Sequence, residues 1–126
     1  MAKTVKEMMA EARAGLKELT PAQARARFDA ADAVFIDVRD GLEVKNSGKV
    51  PGAIHASRGL LEFYLDPASP MHDQRIGAGR TLVFYCASGG RSALASKTAR
   101  DMGYADVCHV AGGFAGWVGD GNPVEK

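Results

Sequence analysis

Residues 81–92 read Thr-Leu-Val-Phe-Tyr-Cys-Ala-Ser-Gly-Gly-Arg-Ser, and this stretch decides the fold. Thr81-Leu82-Val83-Phe84-Tyr85 is a continuous β-prone run, which predicts a central strand covered on both faces, as in a parallel sheet. The run stops at Cys86, crosses Ala87, Ser88 and the paired glycines Gly89 and Gly90, and turns helical near Arg91. Leu94, Thr98 and Met102 then share one helical face, and Gly103 is placed to end the helix.

Working outward, the same alternation continues in both directions. Val107-Cys108-His109-Val110 reads as a last strand, followed by Gly112, Gly113, Phe114, Gly116 and Trp117. Upstream, Ala33-Val34-Phe35-Ile36 reads as a strand leading into Asp37-Val38-Arg39, and Ala53-Ile54-His55-Ala56 as a shorter one. Thr20 is a candidate N-cap, with Pro21 at the first helical position, Gln23 completing a capping box and Phe28 as the core anchor of that helix. Val5, Met8, Met9, Ala12, Leu16 and Leu19 recur at helical spacing, so residues 1–19 are expected to form a helical extension ahead of a domain at 20–126. Leu60, Leu61 and Tyr64 suit one short helix, residues 40–52 read as polar and turn-rich, and residues 66–79 as a long loop. Alternating strands and helices predict an open α/β sheet of about five parallel strands, with helices on both faces and right-handed crossovers.

Composition sets outer bounds. A chain of 126 residues suits one domain able to bury an apolar core without disulfides or a structural metal. Sixteen basic residues against fifteen acidic leave a net charge of +1, which argues against a nucleic-acid footprint. No apolar run approaches the roughly 20 residues of a membrane helix. Met1 to Leu19 lacks an apolar core segment, and Glu7, Glu11 and Glu18 do not suit a transit peptide, so a cytoplasmic location is expected. Two cysteines in such a chain are expected to be reduced thiols.

The chemistry points to Cys86. Sites in open α/β sheets form beyond the carboxyl ends of the strands, where this residue stands. Its glycine-containing loop can turn amide N–H groups inward as an anion nest, and the following helix adds the positive end of its dipole. Both favour the thiolate. Arg91, five positions on, can bind an anionic substrate or brace the loop. Cys108, inside an apolar strand without neighbouring glycine or arginine, reads as a core thiol. Asp37 and Arg39 read as a structural ion pair, with a loop brace or a substrate-approach charge as the alternative, while Arg58 and Glu62 could line a cleft mouth or face solvent. His55, His72 and His109 are scattered, show no zinc-site spacing and carry no assigned role. Core packing is expected for Phe114 and Trp117, with one of them a candidate wall near the site.

Four segments in order resemble the single-domain rhodaneses: Asp37-Val38-Arg39, Gly48-Lys49-Val50-Pro51-Gly52-Ala53, Cys86 through Ser92, and Gly112-Gly113-Phe114-Ala115-Gly116-Trp117. The resemblance runs from about Thr20 to Trp117. It implies a rhodanese-like parallel sheet and a sulfurtransferase. Thiosulfate would give its outer sulfur to Cys86, and cyanide or another thiophilic acceptor would take it from the persulfide. Substrate would be held by Ala87, Ser88, Gly89, Gly90 and Arg91, with no metal or other cofactor. Its partners would be a small sulfur donor, a thiophilic acceptor and, in one version, an acceptor protein, but neither nucleic acid nor membrane. Lys49 stands where many relatives carry His, and residues 40–47 lack the usual acidic-aromatic pattern apart from Glu43. Two rival functions remain. A related phosphatase or arsenate reductase would carry five residues between Cys and Arg, where this chain has four. A persulfide carrier or redox sensor would keep the same reactive cysteine.

Overall fold

The computed structural model describes residues 2–77 and 79–126. Five parallel strands form one sheet: β1 (Lys17–Leu19), β2 (Ala33–Asp37), β3 (Ile54–His55), β4 (Thr81–Tyr85) and β5 (Val107–Val110), in the spatial order β1-β5-β4-β2-β3. Six helices accompany them: α1 (Val5–Arg13), α2 (Pro21–Ala30), α3 (Gly41–Ser47), α4 (Leu61–Leu65), α5 (Gly90–Asp101) and α6 (Gly113–Gly119). The expected open α/β sheet with helices on both faces is the architecture observed.

The sheet is covered on both sides because β4 supplies apolar residues to both. All five of its residues are buried. Leu82 and Phe84 join Ile36, Leu61, Leu65 and the α5 alanines Ala95 and Ala99 in one core. Val83 and Tyr85, pointing the other way, join Phe35, Cys108, Phe114 and Trp117 in a second. Cys86 continues the Leu82–Phe84 series and lies in the α5 core. Alternation along β4 therefore decides which face carries the thiol.

Local signals act as the sequence indicates at α2. The Thr20 hydroxyl accepts from the Gln23 amide at 3.1 Å, and the Gln23 side chain accepts from the Thr20 amide at 2.9 Å. Thr4 and Glu7 make a second capping box at α1.

Two expectations need correction. The first helix stops at Arg13, and Lys17–Leu19 is an edge strand pairing with β5. Helical spacing of Leu16 and Leu19 was misleading, because an edge strand this short shows almost no alternation of its own. Residues 41–47, expected as turn, form α3, which buries no residue and so lacks an apolar stripe to announce it. Phe28 anchors α2 as expected, edge-on to the core rings of Phe35 and Trp117 at 6.0 and 5.6 Å between centroids, beside the fully buried Ala24. Among the described residues, no helix is long and apolar enough to cross a membrane.

The connections leaving β2 and β4 run in opposite directions across the sheet, toward β3 and toward β5. The ends of these two adjacent strands thus form a topological switch point, the position where open α/β sheets place their sites. Asp37-Val38-Arg39 and the Cys86 loop meet there, with the Val38 amide donating to the Tyr85 carbonyl at 3.0 Å.

Candidate active site

Cys86 lies at the bottom of its loop, 1% exposed. Its Sγ accepts from the Gly89 amide at 3.1 Å and from the Ser92 amide at 3.4 Å. Gly89 reaches that position with φ +133°, which L side chains rarely adopt. Burial pushes the thiol up. The Ser92 amide and hydroxyl, then the Gly89 and Ser88 amides, outweigh it and hold Cys86 below the ordinary thiol range. The inward-facing amides expected of the loop are present. The loop encloses the thiol, because the amides close around the sulfur.

The loop is tied from outside by α6. The amides of Phe114 and Ala115 donate to the carbonyls of Cys86 and Ala87 at 2.8 and 3.2 Å. Gly113 makes this approach possible, since a Cβ there would stand 2.5 Å from the Cys86 carbonyl oxygen.

Two arginines stand near the loop. Arg91 donates to both carboxylate oxygens of Glu43 on α3, at 2.7 and 3.0 Å. Arg39 is buried against Asp37 at 2.7 Å, donates to the Gly48 carbonyl at 2.6 Å, and stacks over Phe114 with 4.2 Å to the ring centroid. A depression of about 350 Å³ opens beside Ala87, walled by Arg39, Glu43, Ser47 and Phe114. Phe114 is therefore the wall residue, while Trp117 belongs to the core. Arg58 and Glu62 do not line this depression. They pair with one another, and Arg58 also donates to Thr98 at 3.0 Å.

Cys108 is fully buried, and burial pushes its thiol up to about 11. Both cysteines are free. The two thiols thus have opposite environments: amide donors around one, apolar packing around the other.

Sequence reasoning missed two parts of the site. The first is behind the sulfur. The Ser92 hydroxyl is 3.6 Å from Sγ and 2.9 Å from Nδ1 of His109, whose Nε2 is 2.7 Å from Glu18 of β1. His109 is 0% exposed. Its signal was a histidine in an apolar strand, and the strand pairing that brings Glu18 to it had no local trace. Among the described residues, His55 and His72 bond the backbone carbonyls of Arg39 and Tyr64 alone. The second part is α1, which packs on α5 with the Met9 thioether against Gly90 and the Arg13 guanidinium against Gly89.

Comparisons with known proteins identify the family and the fold. A sequence model of the family described as a rhodanese-like domain matches residues 20–120. Thiosulfate sulfurtransferase/rhodanese-like domain-containing protein 3 of Mus musculus is 31% identical over 107 residues, covering 81% of this chain and 68% of that protein. Thiosulfate sulfurtransferase GlpE of Glaesserella parasuis is 30% identical over 108 residues, covering 86% of this chain and 92% of that protein. A solved structure from Rhodopseudomonas palustris, described as a protein of unknown function and possible tyrosine phosphatase, superposes with a TM-score of 0.93. It is 43% identical and covers 99% of this chain and 96% of its own.

Proposed function

Since the chain belongs to the rhodanese-like domain family of sulfurtransferases, we propose that it moves sulfane sulfur from thiosulfate to a thiophilic acceptor through a persulfide on Cys86. The observation that carries this reading is the ring of amides on Sγ: Gly89 at 3.1 Å and Ser92 at 3.4 Å stabilise the sulfur as an anion.

In the first step the Cys86 thiolate attacks the outer sulfur of thiosulfate. A new S–S bond forms, the old one breaks, and sulfite leaves with the electron pair. The persulfide anion then occupies the loop, where the Gly89 and Ser92 amides face its charge. In the second step an acceptor such as cyanide attacks the outer sulfur, and Cys86 leaves as the thiolate. Electrons balance in both steps, so the scheme calls on no metal or other cofactor. The acceptor is a small thiophile or a thiol on a protein partner.

Arg91 serves this reading in two ways. Its pairing with Glu43 braces the loop against α3, and its positive charge attracts an anionic donor. The Cys86→Ser variant should lose thiosulfate:cyanide sulfur transfer, and retained transfer would move the chemistry elsewhere.

The description of the Rhodopseudomonas palustris neighbour raises phosphate ester hydrolysis as a second reading. Four residues separate Cys86 from Arg91, a tighter ring than a tetrahedral phosphate needs. Release of phosphate from an aryl phosphate, dependent on Cys86, would favour that reading over sulfur transfer.

A further inference from the structure

A thiol that is 1% exposed must lose its proton before it can attack, and its loop is lined by donors that cannot receive one. Amide N–H groups stabilise the thiolate but carry no proton away. One chain of side chains behind the sulfur can. Sγ faces the Ser92 hydroxyl at 3.6 Å, that hydroxyl faces His109 Nδ1 at 2.9 Å, and His109 Nε2 faces Glu18 Oε2 at 2.7 Å. Ser92 and His109 are fully buried, whereas the Glu18 side chain is 49% exposed. The chain therefore runs from the dry interior of the loop to solvent at the β1 edge.

We propose that His109 is a positioning residue that takes the Cys86 proton through Ser92 and leaves the Ser92 hydroxyl turned onto the thiolate, with Glu18 balancing the ring's charge. The inference rests on Cys86 being the nucleophile.

The proton balance is closed. The Sγ–H bond breaks as a new O–H bond forms on Ser92. The former Ser92 O–H bond breaks as an N–H bond forms at His109 Nδ1. One proton has moved from Cys86 to His109, and no oxidant or reductant enters. The product is a thiolate and an imidazolium bridged by one hydroxyl, with Nε2–H donating to the Glu18 carboxylate. Every buried polar atom of the chain then has a partner of the right kind.

The starting state also fits. Glu18 accepts from Nε2–H, which leaves Nδ1 of the neutral ring as an acceptor. Burial holds His109 below the ordinary histidine range, with Arg13 of α1 acting in the same direction and Glu18 opposing. With Nε2–H given to Glu18, Nδ1 is the ring atom placed to receive the proton from Ser92. The charged groups facing the pair are Glu18 from β1, Arg13 from α1, and Arg91 of α5, itself paired with Glu43 of α3. Ser92 also donates to the Gly89 carbonyl at 3.1 Å, the alternative resting place for its hydroxyl. With a protonated His109 on the other side, that hydroxyl is free to turn to sulfur.

The test is the pH profile of Cys86 alkylation by iodoacetamide on the full chain, read as modified mass at that site. It needs no sulfur transfer. In H109L the apparent thiol pKa should rise by about one unit or more, the size expected for losing a hydrogen bond to an anion. E18Q, a half-exposed change that spares the core, should raise it in the same direction by less. In an S92A background, H109L should add nothing, because the link is already cut. Profiles of H109L and E18Q that overlay the parent would overturn the relay, while a lowered parent pKa would leave Cys86 intact as the nucleophile. A parent profile at the ordinary thiol pKa would overturn both the relay and the activated-cysteine reading.

Discussion

Arg91 spans the site to Glu43, with one guanidinium nitrogen 2.7 Å and the other 3.0 Å from the two carboxylate oxygens. This pairing binds the start of α5 to α3, an element with no buried residue of its own. It makes α3 depend on the loop for its position, and the loop on α3.

The pair gives a pH dependence of stability. Hydrogen bonds from Arg91 hold the Glu43 carboxyl at about 2, against an ordinary value of 4.5. A depressed folded value means the stabilisation is fully present above the ordinary value and is lost as pH falls through about 2. Denaturant midpoints should therefore separate the parent from Glu43→Gln at neutral pH and converge at the acid end of that window. Both side chains are about one-third exposed, so the separation should be small and salt-sensitive. A gap that is constant with pH would contradict it.

Arg91→Ala should raise KM for thiosulfate by about tenfold, the loss of one charge-assisted contact of about 1.4 kcal/mol. Steady-state kinetics with cyanide as acceptor would show it. An unchanged KM would leave Arg91 as a brace alone.

Cys108→Ser should keep sulfur transfer while losing about 1–3 kcal/mol of stability, because a hydroxyl replaces a buried thiol among apolar neighbours. Cys108 is held at about 11, so alkylation at neutral pH should label Cys86 first. Loss of transfer in a folded Cys108→Ser protein would show that this thiol takes part.

Gly113→Ala should damage the loop from outside it. Gly113 has φ +59°, and its Cβ would meet the Cys86 and Ala87 carbonyl oxygens at 2.5 and 2.6 Å. Relief requires α6 to move off the loop, giving up the Phe114 and Ala115 amide bonds. Thermal unfolding should show a loss of about 1–3 kcal/mol, and sulfur transfer should fall with it. Parent-like activity would mean that the loop does not need its tie to α6.

The legible parts of this protein are those encoded by neighbours in sequence. Thr81–Tyr85 announces a central strand because five consecutive residues are β-prone, and Thr20, Pro21 and Gln23 announce a helix start because a capping box spans only four positions. The cysteine loop is read for the same reason. Asp37 and Arg39, two residues apart, form the buried pair expected of them. What escaped depends on distant pairing. Lys17–Leu19 becomes a strand only because β5 lies beside it, and Glu18 meets His109 across that register. Nothing within ten residues of either indicates the other. Likewise, Arg13 arrives at Gly89 through the packing of α1 on α5, which a reading of residues 1–19 as a separate extension does not foresee.

The persulfide on Cys86 is tested by intact mass after incubation with thiosulfate, beside the Cys86→Ser control. The parent alone should gain one sulfur atom, removed by cyanide. A folded, reduced parent that gains no sulfur from thiosulfate or from any other sulfane donor would contradict it.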